Sequence, residues 1–214
     1  MMIDLITSQN ASHYGHLLRE MFRLRHRIFK EQLGWSVECN NGEERDQFDR
    51  PDTAYLIVSD ETQNVIGAWR LLPTTRPYMA STVFRALFGD VEPPQAESIW
   101  ECSRFVVNPP ERHVSVSGID EATASLLVGI TEFAVSYNVR EIISVETPAV
   151  ARLHARARGR APVWRSSVQS LGETRALVAR YDIDGGLLQS LREKYRTQAP
   201  IIRQMALWDQ SVAA

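Results

Sequence analysis

The chain has 214 residues, of which 44% are hydrophobic and 23% are charged, the composition of an ordinary globular protein. Its 24 basic and 26 acidic residues give a formal net charge of -2, so no overall basic bias points to nucleic acid and no acidic tail indicates disorder. No stretch reaches the roughly 18 apolar residues that a membrane-spanning helix needs.

The two cysteines, Cys39 and Cys102, are far apart and have unlike neighbours. A single disulfide is one interpretation, but two unpaired thiols in a reducing compartment are favoured. The first residues, MMIDLITSQN, lack the basic region and the long apolar run of a signal peptide. We therefore expect a cytoplasmic protein.

The first predicted element is a helix over residues 11–34, because apolar residues recur there at spacings of three and four. Arg25 lies on the apolar face of this helix, one turn before Phe29, and Gly34 is a plausible end. A charged side chain on an apolar face either extends its head group to solvent or serves a polar site.

A long polar loop is predicted over residues 36–52, and it contains Asp46, Asp49 and Asp52. These aspartates could belong to ordinary turns. They could also neutralise Arg25 and a second arginine on an apolar face, Arg70, or they could bind a cationic ligand. The aromatic residues that follow Arg25 (Phe29 and Trp35) could then line a cation pocket or simply belong to the core.

Two strands, Thr53–Ser59 and Asn64–Leu72, are predicted after the loop, and Arg70 shares a face of the second with apolar residues. A helix is expected over Met79–Phe88. The next strand, Ser98–Val107, is apolar at both ends but contains Glu101 and Arg104. Strict alternation places these two side chains on opposite faces unless the strand is bulged between them.

The second half of the chain alternates between strand and helix patterns. In order, it is predicted to contain a loop at Asn108–Gly118, a helix at Asp120–Tyr137, a strand at Val139–Thr147, a basic helix at Ala149–Arg158, a hairpin of Val163–Leu171 and Glu173–Ile183, and a helix and tail at Asp184–Ala214. Strand, helix and strand in succession indicate a βαβ unit within a mixed sheet. We expect one α/β domain with helices on both sides.

Four segments follow one another along the chain: FRLRHRIFKEQLGW, ERDQFDRPDTAYLIV, AWRLLPTTRPY and WECSRFVV. In this order they resemble one known family, the acyl-homoserine lactone synthases (autoinducer synthases) of bacterial quorum sensing. The resemblance covers about residues 20–150. It implies a single three-layer α/β domain over 1–214, related to the N-acetyltransferase fold, with a V-shaped cleft in a mixed sheet. Residues 1–110 would bind S-adenosylmethionine, 111–184 the acyl chain and its carrier, and 185–214 would form a C-terminal helix and tail.

The resemblance also implies substrates and roles. S-Adenosylmethionine and an acyl thioester would yield an N-acyl-L-homoserine lactone by amide formation and lactonisation. Glu101 would remove the proton of the attacking amine, with Arg104 as its catalytic neighbour and the backbone near Phe105 and Val106 binding the oxyanion. The family's invariant residues fall on Arg25, Phe29, Trp35, Asp46, Asp49, Arg70, Phe84, Glu101 and Arg104.

The acyl chain would occupy an apolar channel. Its candidate lining residues are Met79, Phe84, Trp100, Leu126, Ser144, Val145, Thr147 and Leu153. The resemblance favours acyl carrier protein over coenzyme A, because Pro148 and Ala149 stand where coenzyme A users tend to carry paired tryptophans. Arg152, Arg156 and Arg160, spaced by four, would steer that acidic carrier, unless they form only a solvated face.

Two alternatives come from other classes. An acyl-CoA-dependent N-acetyltransferase would need a glycine-rich pyrophosphate turn, and VNPPERHVSVSGID offers only Gly118 there. A sensor of a small cationic ligand explains the acidic loop but not Glu101 beside Arg104. The histidines form no metal-ligand pattern with the cysteines, and no cofactor is expected because S-adenosylmethionine is a substrate.

Overall fold

The computed structural model describes residues 2–108, 118–172, 174–197 and 200–203. The strands are β1 (Ile3–Ile6), β2 (Cys39–Asn40), β3 (Glu43–Glu44), β4 (Ala54–Ser59), β5 (Val65–Pro73), β6 (Ile99–Val107), β7 (Glu141–Glu146), β8 (Trp164–Arg165), β9 (Gln169–Leu171) and β10 (Thr174–Asp182). The helices are α1 (Gly15–Arg25), α2 (Glu121–Ser136), α3 (Pro148–Arg158) and α4 (Gly185–Tyr195). Short 3₁₀ turns cover Ala11–Tyr14 and Arg85–Phe88, and a π-helical turn covers His26–Gln32.

The main sheet has the strand order β1-β4-β5-β6-β7-β10-β8, with β9 paired to β10. All neighbours are antiparallel except β6 and β7, which are parallel and connected through α2. This pair is the predicted βαβ unit and makes the sheet mixed, as expected. Among the described residues, no helix is long and apolar enough to cross a membrane.

The sheet opens between its two central strands. Pairing of β6 with β7 runs from Ile99 opposite Glu141 to Cys102 opposite Ser144 and then stops, although β6 continues to Val107. Beyond Cys102 the strand pairs only with β5. The predicted V-shaped cleft is therefore confirmed at this point of the sheet.

Helices cover both faces of the sheet, which gives three layers. Apolar residues of α1 pack against one face, where they meet Tyr55, Ile57 and Val106. Residues of α2 and α4 pack against the other face in the largest core cluster, which includes Trp69 and Trp100. Both cysteines are free thiols, Cys39 exposed and Cys102 buried.

The first predicted helix is present, but it changes its helical type twice. It begins as a 3₁₀ turn, continues as α1 and ends in the π-helical turn, after which Gly34 has a φ of +66°. The wider π turn shifts every later side chain around the axis, and such turns occur often at functional sites.

The helix expected over Met79–Phe88 is wrong apart from the 3₁₀ turn at its end. The sequence has helical periodicity there, but the amides of Met79 and Ala80 donate to the buried Glu101 carboxylate instead of entering a helix. A distant side chain therefore overrides the local pattern.

The remaining predicted elements are present with small differences. The hairpin turns at Gly172, which has a φ of +61°, but its first strand is divided into β8 and β9. The tail after α4 returns to the sheet, because Ile201 and Arg203 exchange backbone hydrogen bonds with Ile3 of β1. The predicted loop at 108–118 falls almost wholly outside the described residues.

Candidate active site

A β-bulge in β6 decides which side chains face the cleft. Ala68 pairs with Val106 and Arg70 pairs with Ser103, so the single residue Trp69 on β5 lies opposite two residues of β6, Arg104 and Phe105. Arg104 has a φ of +55°, a conformation that residues other than glycine rarely adopt. The bulge turns Arg104 toward the face of Arg70, while Phe105 packs against Trp69 on the other face.

Three arginines and three carboxylates form one buried network on this face. Arg25 makes a two-pronged contact with Asp49, with N–O distances of 2.8 and 2.9 Å, and its Nε donates to Glu44. Arg70 binds Asp46 at 2.6 Å and Ser103 at 3.0 Å. The sequence-based hypothesis that the acidic loop neutralises Arg25 and Arg70 therefore matches the observed contacts.

Arg104 closes the network from the bulge. Its Nε donates to Glu44 at 3.0 Å and its second amino group donates to Asp46 at 2.7 Å. Each carboxylate thus contacts at least one arginine, and the six formal charges cancel. Buried charges are tolerated only when they are paired in this way, and removing one partner leaves its counterpart buried and unpaired.

Two members of the network, Asp49 and Arg104, have shifted pKa values. Burial alone would raise the pKa of Asp49, but hydrogen bonds and charge from Arg25, together with the charge of Arg70, hold that pKa well below its usual range. Burial lowers the pKa of Arg104, and the nearby Arg70 lowers it further. Asp49 is thereby kept ionised beside Arg25 and Arg70.

Two aromatic side chains lie next to Arg104. Phe29 and Trp35 stack with ring centroids 5.2 Å apart and planes 3° from parallel, and the Arg104 guanidinium lies 5.6 Å from the Phe29 centroid. Phe29 lies within the π-helical turn, and its carbonyl accepts the Trp35 amide at 2.8 Å. Ring faces attract cations, so this pair can contact a positively charged group.

Glu101 is fully buried, and both of its carboxylate oxygens accept backbone amides, from Met79 at 2.9 Å and from Ala80 at 2.7 Å. Burial raises its pKa to about 7, although these hydrogen bonds and the charges of Arg70 and Arg104 act in the opposite direction. A carboxyl group with a pKa near the working pH is suited to remove and return protons.

The residues predicted to line the acyl channel divide between the two faces of the sheet. Met79, Phe84 and Val145 lie on the Glu101 face, in or against the cluster around Ile143 and Val178. The opposite face carries other candidates, Trp100, Leu126, Leu153 and Ser144. Thr147 caps α3 by accepting the Val150 amide. The predicted channel residues therefore do not form one group on one face.

The arginines predicted to steer a carrier have different environments. Arg152 and Arg156 are exposed on α3. Arg160 instead makes ion pairs with Asp182 and Asp184, both at 2.7 Å. The exposed positive surface of this helix is therefore smaller than its sequence suggests.

Sequence reasoning missed Glu44. It is fully buried in β3 and contacts both Arg25 and Arg104. Counting charges could have found it, because Arg104 adds a third positive charge and the loop aspartates were matched only to Arg25 and Arg70. Among the described residues, no group of three or more His, Cys, Asp or Glu side chains is placed to hold a metal ion.

A mixed sheet that opens between its central strands and is covered by helices on both faces defines the N-acetyltransferase class of fold. A putative N-acetyltransferase from Lactobacillus plantarum has this fold, with a TM-score of 0.54 at 12% identity over 86% of this chain and 100% of its own. That likeness concerns the fold alone.

More specific likeness comes from the sequence and from closer structures. The family model of autoinducer synthases matches residues 9–191. An acyl-homoserine-lactone synthase of Aliivibrio fischeri is 34% identical over 164 residues, 75% of this chain and 83% of the relative. The structure of BjaI, a CoA-dependent acyl-homoserine lactone synthase, with SAM and isopentyl-CoA has a TM-score of 0.86 at 28% identity, covering 99% of this chain and 97% of BjaI. The chain belongs to the autoinducer synthase family and is an enzyme.

Proposed function

We propose that this enzyme makes an N-acyl-L-homoserine lactone, a quorum-sensing signal, from S-adenosylmethionine and an acyl thioester. The observation that carries the proposal is the position of Glu101. A buried carboxyl group with a pKa of about 7 lies beside the opening of the sheet, on the face that holds Arg104 and the aromatic pair. Family membership and the likeness to a structure with SAM and an acyl-CoA support the same reaction.

The first step forms the amide bond. The α-amine of S-adenosylmethionine attacks the thioester carbonyl only when it is neutral, so ionised Glu101 takes its proton, directly or through a water. The N–C bond forms, the C–S bond of the thioester breaks, and the thiol leaves with a proton. The bulge interrupts the regular pairing of β5 with β6. This interruption supports oxyanion binding by the backbone near Phe105 and Val106.

The second step closes the lactone. The substrate carboxylate attacks its own γ-carbon, where the C–S bond to the sulfonium breaks and methylthioadenosine leaves. The sulfonium is already a good leaving group, so the protein needs mainly to fold the substrate into position. The stacked Phe29 and Trp35 rings can hold the cationic sulfur and the adenosyl group. The charged network fixes the wall around them.

Acyl carrier protein is our proposed donor. The exposed Arg152 and Arg156 on α3 support it, because the carrier is acidic and a positive surface accelerates its encounter. The likeness to the CoA-dependent BjaI favours coenzyme A instead. Acyl carrier protein needs a larger docking surface on the enzyme than an acyl-CoA does. Separate rate measurements with each donor can therefore show which one the enzyme uses.

The direct test is product analysis with purified protein. Incubation with S-adenosylmethionine and either donor should yield acyl-homoserine lactone and methylthioadenosine in equal amounts, detected by mass spectrometry. Formation of an acylated amine other than homoserine lactone, without methylthioadenosine, would support the N-acetyltransferase alternative. Binding of S-adenosylmethionine without turnover of any thioester would support the sensor alternative.

A further inference from the structure

A second buried polar cluster lies on the other face of the sheet, away from the arginine network. Glu146, at the end of β7, accepts the Tyr181 hydroxyl at 2.8 Å with one oxygen. Its other oxygen lies 2.7 Å from Nδ1 of His154 on α3. His154 is 2% exposed and Glu146 is 4% exposed, so neither side chain reaches bulk solvent.

His154 belongs at the same time to an aromatic trio with Trp69 and Phe105. The centroid of its ring lies 5.2 Å from that of Trp69 and 5.3 Å from that of Phe105, and the Trp69 and Phe105 centroids are 5.0 Å apart. These residues come from α3, β5 and the β6 bulge. The trio therefore connects the bulged side of the sheet to the helix that follows β7.

The trio contains two buried nitrogen atoms with unused hydrogen-bonding capacity. Nε1 of Trp69 and Nε2 of His154 have no hydrogen-bond partner among the described residues. Trp69 is only 4% exposed. Leaving a buried polar atom unpaired is unfavourable, and most such atoms in native proteins are paired by protein, water or ligand.

The trio lies next to the opening of the sheet between β6 and β7. Pairing of β6 with β7 ends at Cys102 and Ser144, and Phe105 follows on the unpaired part of β6. Phe105 and Val145, on the two sides of this opening, are only partly buried. An acyl chain attached at the Glu101 face would have to pass this opening to reach Phe105, whose ring contacts Trp69 and His154.

The hydrogen-bonding chemistry of the two nitrogens selects one functional group. Trp69 Nε1 can only donate. His154 Nδ1 faces a carboxylate, so in the neutral ring it carries the proton and Nε2 presents a lone pair that can only accept. A hydroxyl group is both acceptor and donor, so it can satisfy both atoms. A ketone oxygen could satisfy Trp69 alone, and an unsubstituted chain could satisfy neither.

We propose that Trp69 and His154 determine acyl-chain specificity by binding a hydroxyl group on that chain, with Glu146 and Tyr181 as positioning residues. This inference rests on the proposed function, because it assigns the substrate class of the same site. The hydroxyl would accept from Trp69 and donate to His154. Hydroxylated acyl thioesters are then preferred to unsubstituted thioesters of equal length.

The test compares acyl thioesters of one chain length that are unsubstituted, carry a 3-oxo group, or carry a hydroxyl at C3 or at the far end. For the wild-type protein, a hydroxylated donor should have the highest kcat/KM, about tenfold or more above the unsubstituted one. Trp69→Phe keeps an aromatic ring but removes the donor, and should reduce this ratio about tenfold. His154→Asn can still donate to Glu146 but loses the acceptor, and should reduce the ratio similarly.

Trp164→Phe, on the edge strand β8, is the matched control and should keep the wild-type ratio. The proposal is overturned if the wild type uses the unsubstituted donor as efficiently as every hydroxylated one. It is equally overturned if Trp69→Phe and His154→Asn slow all donors by the same factor, since a merely structural role would do this. Lactone formed without hydroxyl preference refutes this inference alone, whereas absence of lactone from every donor refutes the proposed function as well.

Discussion

Glu101 and Arg104 are separated by two residues of one strand, yet both contact Met79. The Glu101 carboxylate accepts the Met79 amide at 2.9 Å, and Arg104 lies 3.7 Å from the Met79 sulfur. Regular alternation would have sent these side chains to opposite faces. The bulge opposite Trp69 places the Glu101 carboxylate and the arginine network on the same side of the sheet.

Catalytic efficiency should be sensitive to a conservative substitution of Arg104, the arginine at the bulge. Arg104→Lys cannot reproduce the two donors that Arg104 directs to Glu44 and Asp46. We expect kcat/KM for S-adenosylmethionine to fall roughly tenfold or more, because the cleft wall is no longer fixed. Steady-state kinetics measures this fall. Arg23→Lys, at an exposed helical ion pair, is the matched control, and equal effects of the two changes would contradict the assignment.

Glu44 should stabilise the fold through the two arginines that it contacts. Glu44→Gln leaves Arg25 and Arg104 buried with one fewer negative charge, and should lower the free energy of unfolding by about 3 kcal/mol. Chemical denaturation measures this change. Glu43→Gln, on the same strand, removes only the ion pair with the exposed Arg45 and should change stability by about 1 kcal/mol or less. A Glu44→Gln protein as stable as the Glu43→Gln protein would refute the network's structural role.

Glu101 should make stability depend on pH. Its pKa is raised from its usual 4.5 to about 7 in the folded protein, so the folded state retains a proton that the unfolded state has released. Its contribution is fully present below about pH 4.5 and is lost as the pH rises to about 7. Denaturation at a series of pH values should show this loss in the wild type. Glu101→Gln should not show it, and an identical pH dependence in both proteins would exclude the raised pKa.

Reversing the exposed charges of α3 should affect one donor only. Arg152→Glu with Arg156→Glu should raise the KM for acyl carrier protein roughly fivefold at low salt, and added salt should reduce the difference. The KM for an acyl-CoA should change little, because that donor brings no protein surface. Arg23→Glu with Arg27→Glu, on the other side of the sheet, is the matched control. An unchanged KM for the carrier would remove the docking proposal.

The sequence predicted much of the charged site but not its geometry. Arg25 and Arg70 could be selected because each is a charge on an otherwise apolar face, and Asp46 and Asp49 as their candidate partners and through the family resemblance. The partners of Arg104 could not be predicted, because the sequence left a bulge between Glu101 and Arg104 only as an alternative, and the positive φ of Arg104 is seen only in the structure. The local periodicity of the sequence does not indicate this conformation.

Two errors in the predicted fold have a similar origin. The short strand β1 was not predicted, because a four-residue apolar segment is too short to show a period, and its pairing with β4 is non-local. The segment at Met79–Phe88 was predicted as a helix because the carboxylate that binds its amides comes from β6. Long helices such as α2, by contrast, carry a strong periodic signal and an Asp120 cap that binds the Thr123 amide.

The rate of lactone formation by Glu101→Gln tests the central claim most directly. Glutamine cannot accept a proton, and we predict a fall of about 100-fold or more at neutral pH, measured by mass spectrometry with S-adenosylmethionine and an acyl thioester. Circular dichroism must show that the variant is folded, since its amide group opposes one of the two backbone donors at Met79 and Ala80. A folded Glu101→Gln protein that makes lactone at the wild-type rate would contradict the assignment of Glu101 as the base.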